Sequence, residues 1–145
     1  MMGYVDKIAI IGTGLMGRPM AERILKAGYP LSVYDRTFEK AAPLGDLGAK
    51  VVQSSYDAIS DSNCIVLMLS DYEAIRDVLF GPDSARALSG RMVVQMGTIS
   101  PEESVILSKH AMKHGGEYFE APVLGSIPEA EEIIREVRRN LDRNY

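Results

Sequence analysis

The chain has 145 residues, 46% hydrophobic and 25% charged, the balance of one soluble globular domain long enough to bury a single core. A net charge of −4 and a pI near 5.2 leave no basic excess for a phosphate backbone or an anionic surface, so neither nucleic acid nor membrane is an expected partner. The single cysteine, Cys64, excludes an internal disulfide framework. Its neighbours Ile65-Val66-Leu67 predict a buried apolar thiol, which fits a reducing cytoplasm.

No stretch approaches the roughly 20 consecutive apolar residues of a membrane span. The first seven residues lack the basic flank and long apolar run of a signal peptide, so the expectation is a soluble cytoplasmic protein. Along the chain, short apolar runs of strand length alternate with longer stretches of helical periodicity, the pattern of βαβ units and a mostly parallel sheet. The predicted strands are residues 8–11, 31–34, 51–52, 65–69, 92–95 and 118–119, each beside a Gly, Pro, Asn or Asp signal.

The first predicted helix covers residues 15–27, with Ile24 and Leu25 inward and Gly28 placed to turn left-handed at its end. A second, near residues 38–47, follows Thr37 as N-cap and stops at Gly48; a third, near 56–60, is short. A fourth begins after Asp71. The fifth has Ser100 as N-cap, Pro101 at its first position and Glu103 at its third, a capping box, and stops at Gly115-Gly116.

From Pro128 to about Asn140 the composition turns charged, with Ile133, Ile134, Val137 and Leu141 in one helical stripe and Glu131 four residues before Arg135. Arg135, Arg138, Arg139 and Arg143 are four of the ten arginines. Acidic residues are mixed with them, which predicts a solvated amphipathic helix docked on its own sheet or on a partner, with a homodimer as one arrangement. No internal repeat or low-complexity segment is present.

Directly after the first strand stands Gly12-Thr13-Gly14-Leu15-Met16-Gly17, a G-x-G-x-x-G run in the strand-to-helix context that gives the pattern meaning. Gly12 permits the tight turn, Gly14 lets the backbone approach a pyrophosphate, and Gly17 lets the helix pack closely on the strand. The helix start directs free N–H groups and its positive dipole end at phosphates. Asp35 closes the second strand 18 residues beyond Gly17, where a carboxylate can accept hydrogen bonds from an adenosine ribose. That carboxylate repels a 2′-phosphate, whereas Arg36 and Thr37 beside it can bind one. The cofactor is therefore NAD or NADP, with the balance toward NAD, and Arg36 can stack on adenine in either case.

His110 and His114, four residues apart, could share a metal, but no H-E-x-x-H carboxylate follows and Lys109 and Lys113 mark a solvated face, so no metal site is expected. The eight methionines read as core filler, with Met16 and Met68 beside the nucleotide loops.

Five blocks carry a family resemblance. Ile10-Ile11-Gly12-Thr13-Gly14-Leu15-Met16-Gly17-Arg18-Pro19-Met20-Ala21 resembles the opening signature of the β-hydroxyacid dehydrogenases, with Thr13 where leucine is more usual. Val33-Tyr34-Asp35-Arg36-Thr37 is similar to the family's cofactor-discriminating turn. Met68-Leu69-Ser70-Asp71 resembles the loop crossing the cofactor, and Gly97-Thr98-Ile99-Ser100-Pro101 the loop near the nicotinamide. Glu120-Ala121-Pro122-Val123-Leu124-Gly125-Ser126 is similar to the segment receiving the substrate carboxylate, with Leu124 where many relatives place serine and Ser126 where many place glycine.

The family includes 3-hydroxyisobutyrate dehydrogenase, tartronate semialdehyde reductase and the NAD(P)-binding domain of 6-phosphogluconate dehydrogenase. The resemblance implies a doubly wound, mostly parallel Rossmann-type α/β sheet over residues 1–127 with helices on both faces; after Ala130 the sequence departs from the family's continuation and presents the amphipathic helix of 128–145 instead. It implies an oxidoreductase moving hydride between a nicotinamide cofactor and a small β-hydroxy acid. The cofactor-binding set is Gly12, Thr13, Gly14, Leu15, Met16, Gly17, Asp35, Arg36, Thr37, Met68, Leu69, Ser70 and Thr98; the substrate set is Thr98, Leu124, Gly125 and Ser126.

The family's catalytic lysine lies on the helix leading to a second, helical domain. This sequence has no lysine after Lys113, and an arginine cannot release its proton at working pH, so no catalytic residue is assigned. Without a general acid/base, typically worth 10² to 10⁴-fold, the chain alone is expected to be nearly inactive. The alternatives are a nucleotide-binding interaction module without its own catalysis and the cofactor domain of an imine-reductase-like relative.

Overall fold

The computed structural model describes residues 7–13, 17–69 and 71–120. The amphipathic segment 128–145 therefore lies outside the described residues. Within them the order is β1 (Ile8–Ile11), α1 (Gly17–Lys26), β2 (Leu31–Tyr34), α2 (Phe38–Gly45), β3 (Lys50–Val51) and α3 (Ser55–Ser60). It continues with β4 (Cys64–Leu67), α4 (Tyr72–Leu79), α5 (Pro82–Ala87), β5 (Met92–Gln95), α6 (Pro101–Lys113) and β6 (Glu117–Glu120).

All six strands pair in parallel in the order β3-β2-β1-β4-β5-β6. The strand order reverses between β1 and β4, and in open α/β sheets that reversal opens a ligand crevice at the carboxyl ends of the strands. The central strands are apolar at every position because both faces are covered. Ile8, Ile10, Val33, Val66 and Val94 pack with Met20, Ala21 and Ile24 of α1 and Ala41 and Leu44 of α2. Ala9, Ile11, Ile65, Leu67 and Val93 pack on the opposite side with Ala58, Ile59, Ile75, Leu79 and Leu107. This is the doubly wound α/β sheet expected from the alternation of runs.

Helix boundaries follow the capping chemistry. Ser54 caps α3 by accepting from the Asp57 amide, Asp71 caps α4 by accepting from the Glu73 amide, and Ser100 and Glu103 complete the reciprocal capping box of α6. Thr37 occupies the N-cap position of α2 without a side-chain cap bond, and its amide donates to Asp35 Oδ1. Gly28 closes α1 at φ 90°, as expected for a left-handed stop, while Leu25 is only partly buried.

Several bounds differ from the sequence expectation. β3 is Lys50–Val51 rather than 51–52, β4 is Cys64–Leu67 rather than 65–69, and β6 extends to four residues. α2 ends at Gly45, two residues before the expected end, and carries Pro43 within it. α5 has no sequence expectation behind it: Phe80-Gly81-Pro82 ends one helix and places Pro82 at the first turn of another.

Arg91 ties the amino-terminal edge of the sheet together. Its guanidinium donates to the Ser62 carbonyl at 2.8 Å, to Ser60 at 3.0 Å and to Ala87, neutralising carbonyl ends of α3 and α5. Cys64 is fully buried in β4, and burial pushes its thiol up to about 12, as the apolar neighbours imply.

Candidate functional site

The carboxyl ends of β1, β2, β4 and β5 converge on one rim, and the expected binding residues on that rim fall into contact. Gly12 leaves β1 at φ +87°, with its amide donating to the Tyr34 carbonyl at 2.9 Å. A Cβ there would lie 2.6 Å from Leu69 Cδ2 and 3.1 Å from the Met68 carbonyl oxygen. The position needs glycine for both its dihedral and its space. Gly17 is buried at the start of α1, where a Cβ would stand 3.3 Å from Thr13 Cβ, which explains the close helix–strand packing.

Asp35 follows β2 directly and faces the glycine turn. Its Oδ2 accepts from the Thr13 amide at 3.0 Å and the Thr13 hydroxyl at 2.9 Å, while Oδ1 accepts from the Thr37 amide at 2.8 Å. Burial pushes the Asp35 carboxyl up, but the bonds from Thr37 and Thr13, with the charge of Lys40, outweigh it and hold it below the ordinary 3.8. The group is therefore an anion at neutral pH.

Gly12, Tyr34, Arg36, Leu69, Asp77 and Val78 are among the residues lining a cavity of about 120 Å³ between the β1 and β2 ends and α4. Arg36 and Thr37 are exposed beside it. Met68 is half-buried against the core beneath the loop, and Thr98 is exposed one residue past Gly97. Gly14, Leu15, Met16, Ser70, Leu124, Gly125 and Ser126 lie outside the described residues.

Gln95 and Gly97 were not singled out from the sequence as site residues. Gln95 is fully buried at the end of β5; its Nε2 donates to the Leu69 carbonyl at 2.7 Å and to Gly97 at 3.2 Å. A Cβ on Gly97 would sit only 2.0 Å from the Leu69 oxygen. Together they clamp the loop after β5 against the loop after β4. The available signal was a polar residue closing the otherwise apolar strand Met-Val-Val-Gln, a buried amide that has to find partners.

A larger cavity of about 550 Å³ lies at the opposite ends of the strands, lined in part by Lys7, Lys50, Ser62 and Arg91. Ligands of open α/β sheets bind at the carboxyl ends, so the smaller cavity beside Gly12 and Asp35 is the relevant one. His110 does not share the solvated face of Lys109 and Lys113. Its ring stacks on Phe80 at 3.9 Å and donates from Nε2 to the Leu79 carbonyl, while His114 Nδ1 bonds the His110 carbonyl. Among the described residues no group of three or more His, Cys, Asp or Glu could hold a metal.

Residues 7–133 match the family model of the NAD binding domain of 6-phosphogluconate dehydrogenase. The chain belongs to this family. Glyoxylate/succinic semialdehyde reductase 2, chloroplastic, of Arabidopsis thaliana is 36% identical over 127 residues, covering 86% of this chain and 36% of that protein. The 2-hydroxy-3-oxopropionate reductase of Escherichia coli (strain K12) is 34% identical over 125 residues, covering 82% of this chain and 41% of that protein. An imine reductase from Myxococcus stipitatus, solved in complex with NADP+, superposes with a TM-score of 0.79 at 30% identity, covering 84% of this chain and 42% of that one. The chain spans well under half the length of each of these relatives.

The site geometry agrees with membership in an NAD(P)-binding family. Gly12 leaves no room for a side chain, an anionic carboxylate stands at the end of β2, and Gly12 lines one cavity with Tyr34 and Arg36, the residues on either side of that carboxylate. No helix among the described residues is long and apolar enough to cross a membrane.

Proposed function

We propose that this chain forms the nucleotide-holding part of an NAD(P)-dependent oxidoreductase acting on a small β-hydroxy acid or the matching aldehyde, with NAD preferred. The observation that carries the reading is the Asp35 carboxylate, held ionised at the end of β2 and hydrogen-bonded to the glycine turn. A carboxylate so placed accepts from a ribose hydroxyl and repels a 2′-phosphate. Gly12, Gly14 and Gly17 would take the pyrophosphate, and Arg36 would stack on adenine over the cavity it shares with Leu69 and Val78. Met68, Leu69, Ser70 and Thr98 would border the nicotinamide end, with Thr98, Leu124, Gly125 and Ser126 toward substrate.

A nicotinamide dinucleotide, when bound, supplies the hydride donor or acceptor at its ring. The residues here hold and orient it. Gln95 and Gly97 keep the two loops over the β4 and β5 ends at fixed separation. No lysine follows Lys113, so the proton relay implied by the family is not supplied by these residues, and we expect binding without turnover.

A second reading, the cofactor part of an imine reductase, is favoured by the structural likeness to the Myxococcus stipitatus enzyme. The apolar stripe of 128–145, read from sequence, would dock on the sheet or a second copy. Titration with NADH and NADPH by nicotinamide fluorescence, beside oxidation assays on β-hydroxy acids and reduction assays on cyclic imines, tests these readings. Binding of NADH more tightly than NADPH with no turnover supports the main reading; binding of neither nucleotide overturns it.

A further inference from the structure

Thr13 occupies the second position of the glycine run, and its side chain is turned away from solvent, leaving it 7% exposed. It packs against Gly17, whose missing Cβ leaves the threonine its space. From there its hydroxyl reaches Asp35 Oδ2 at 2.9 Å, and its own amide reaches the same oxygen at 3.0 Å. Two donors from one residue on one oxygen fix both the rotation of the carboxylate and its distance from the turn. The Thr37 amide holds the other oxygen at 2.8 Å.

A carboxylate offers about four lone-pair sites. Three are taken by this chain's own donors, so one remains, on Oδ1, for a ribose hydroxyl. An Asp35 free to rotate could swing away from an incoming phosphate and leave Arg36 and Thr37 to bind it. An Asp35 pinned by Thr13 cannot.

We propose that Thr13 is a positioning residue for dinucleotide selection: by pinning Asp35 to the glycine turn it keeps a fixed negative charge where a 2′-phosphate would stand. The proposal rests on the reading that this site holds a nicotinamide dinucleotide. The consequence is specific to Thr13, because a side chain without a hydroxyl at this position leaves only the amide on Oδ2.

The test uses the full chain with NADH and NADPH as probes, in the wild type, T13V, T13S, D35N and T13V/D35N. In T13V the ratio of the NADPH to the NADH dissociation constant falls by about three- to tenfold, the usual span for the net contribution of one hydrogen bond. T13S, which keeps the hydroxyl, stays within about twofold of wild type. In the D35N background, T13V changes the ratio no further, because the residue acts through Asp35.

A nucleotide-free readout accompanies it: carboxyl carbon NMR titration of Asp35, whose midpoint rises in T13V and not in T13S. A ratio unchanged in T13V, an equal loss for both nucleotides, or an unmoved Asp35 midpoint overturns the proposal. A wild type that binds NADH while T13V keeps its ratio sinks the role of Thr13 alone. A wild type that binds neither nucleotide sinks the dinucleotide reading and the selection role with it, even where the Asp35 midpoint still moves.

Discussion

Replacing Gly97 by alanine tests whether the two loops over the β4 and β5 ends are held by direct contact. The added Cβ would stand 2.0 Å from the Leu69 carbonyl oxygen and 2.5 Å from its carbonyl carbon. Ordinary contact begins near 3.5 Å, so backbone must retreat by more than about 1 Å. The same oxygen accepts from Gln95 Nε2 at 2.7 Å, and a retreat of that size breaks the bond, leaving Nε2 only its longer contact to the Gly97 carbonyl beside an Oε1 that already has no partner among the described residues.

Overpacking costs about 1–3 kcal/mol and a lost buried hydrogen bond about 1–3 kcal/mol. The two overlap, so a loss near 3 kcal/mol is expected, or a Tm lower by about 10 °C for a domain of this size. Calorimetry and urea unfolding measure it. Gly28 serves as the control: its φ of 90° calls for glycine on dihedral grounds that Gly97 does not share, but an added Cβ meets nothing within 4 Å, so G28A should cost only about 1–2 kcal/mol. A G97A protein no less stable than G28A, with unchanged nucleotide affinity, would refute the contact argument.

Other outcomes follow from the same structure. G12A combines a left-handed dihedral with a 2.6 Å approach to Leu69, and should abolish detectable NADH binding in a fluorescence titration. Asp35 has its carboxyl lowered on folding, so it stabilises the fold above the ordinary carboxylate range and that contribution is lost as pH falls through the depressed value; D35N should flatten the loss of stability below about pH 4, read by urea midpoints against pH. Cys64, with its thiol raised to about 12 and fully buried, should resist a thiol reagent in the native state and react at once in denaturant. R91A removes donors to Ser60, Ser62 and Ala87 carbonyls and should lower stability by about 2 kcal/mol in chemical denaturation.

The sequence by itself determined the sheet and the rim of the site, because these depend on local chemistry. Strand runs such as Ile8–Ile11 and Met92–Gln95 are apolar at nearly every position only where both faces are covered, and the capping box at Ser100 marks a helix start within a few residues. The glycine spacing placed Gly12 and Gly17, and the strand after α1 carried Asp35 to the same rim. α5 escaped because a six-residue helix after Gly81-Pro82 has too few turns to show a period.

Tertiary structure alone decided which of these residues touch. Thr13 and Asp35 are 22 positions apart and Gln95 and Leu69 are 26 apart, and no local rule pairs them. Thr37 is at a capping position in sequence, yet its side chain makes no cap bond, while its amide gives the Asp35 carboxylate a charge-assisted hydrogen bond. His110 sits beside two lysines in sequence, but the helix turns it onto Phe80 and the carbonyl end of α4. Periodicity and composition report what each segment prefers to bury; the pairing of polar groups across segments is set only when parallel strands bring their carboxyl ends to one edge.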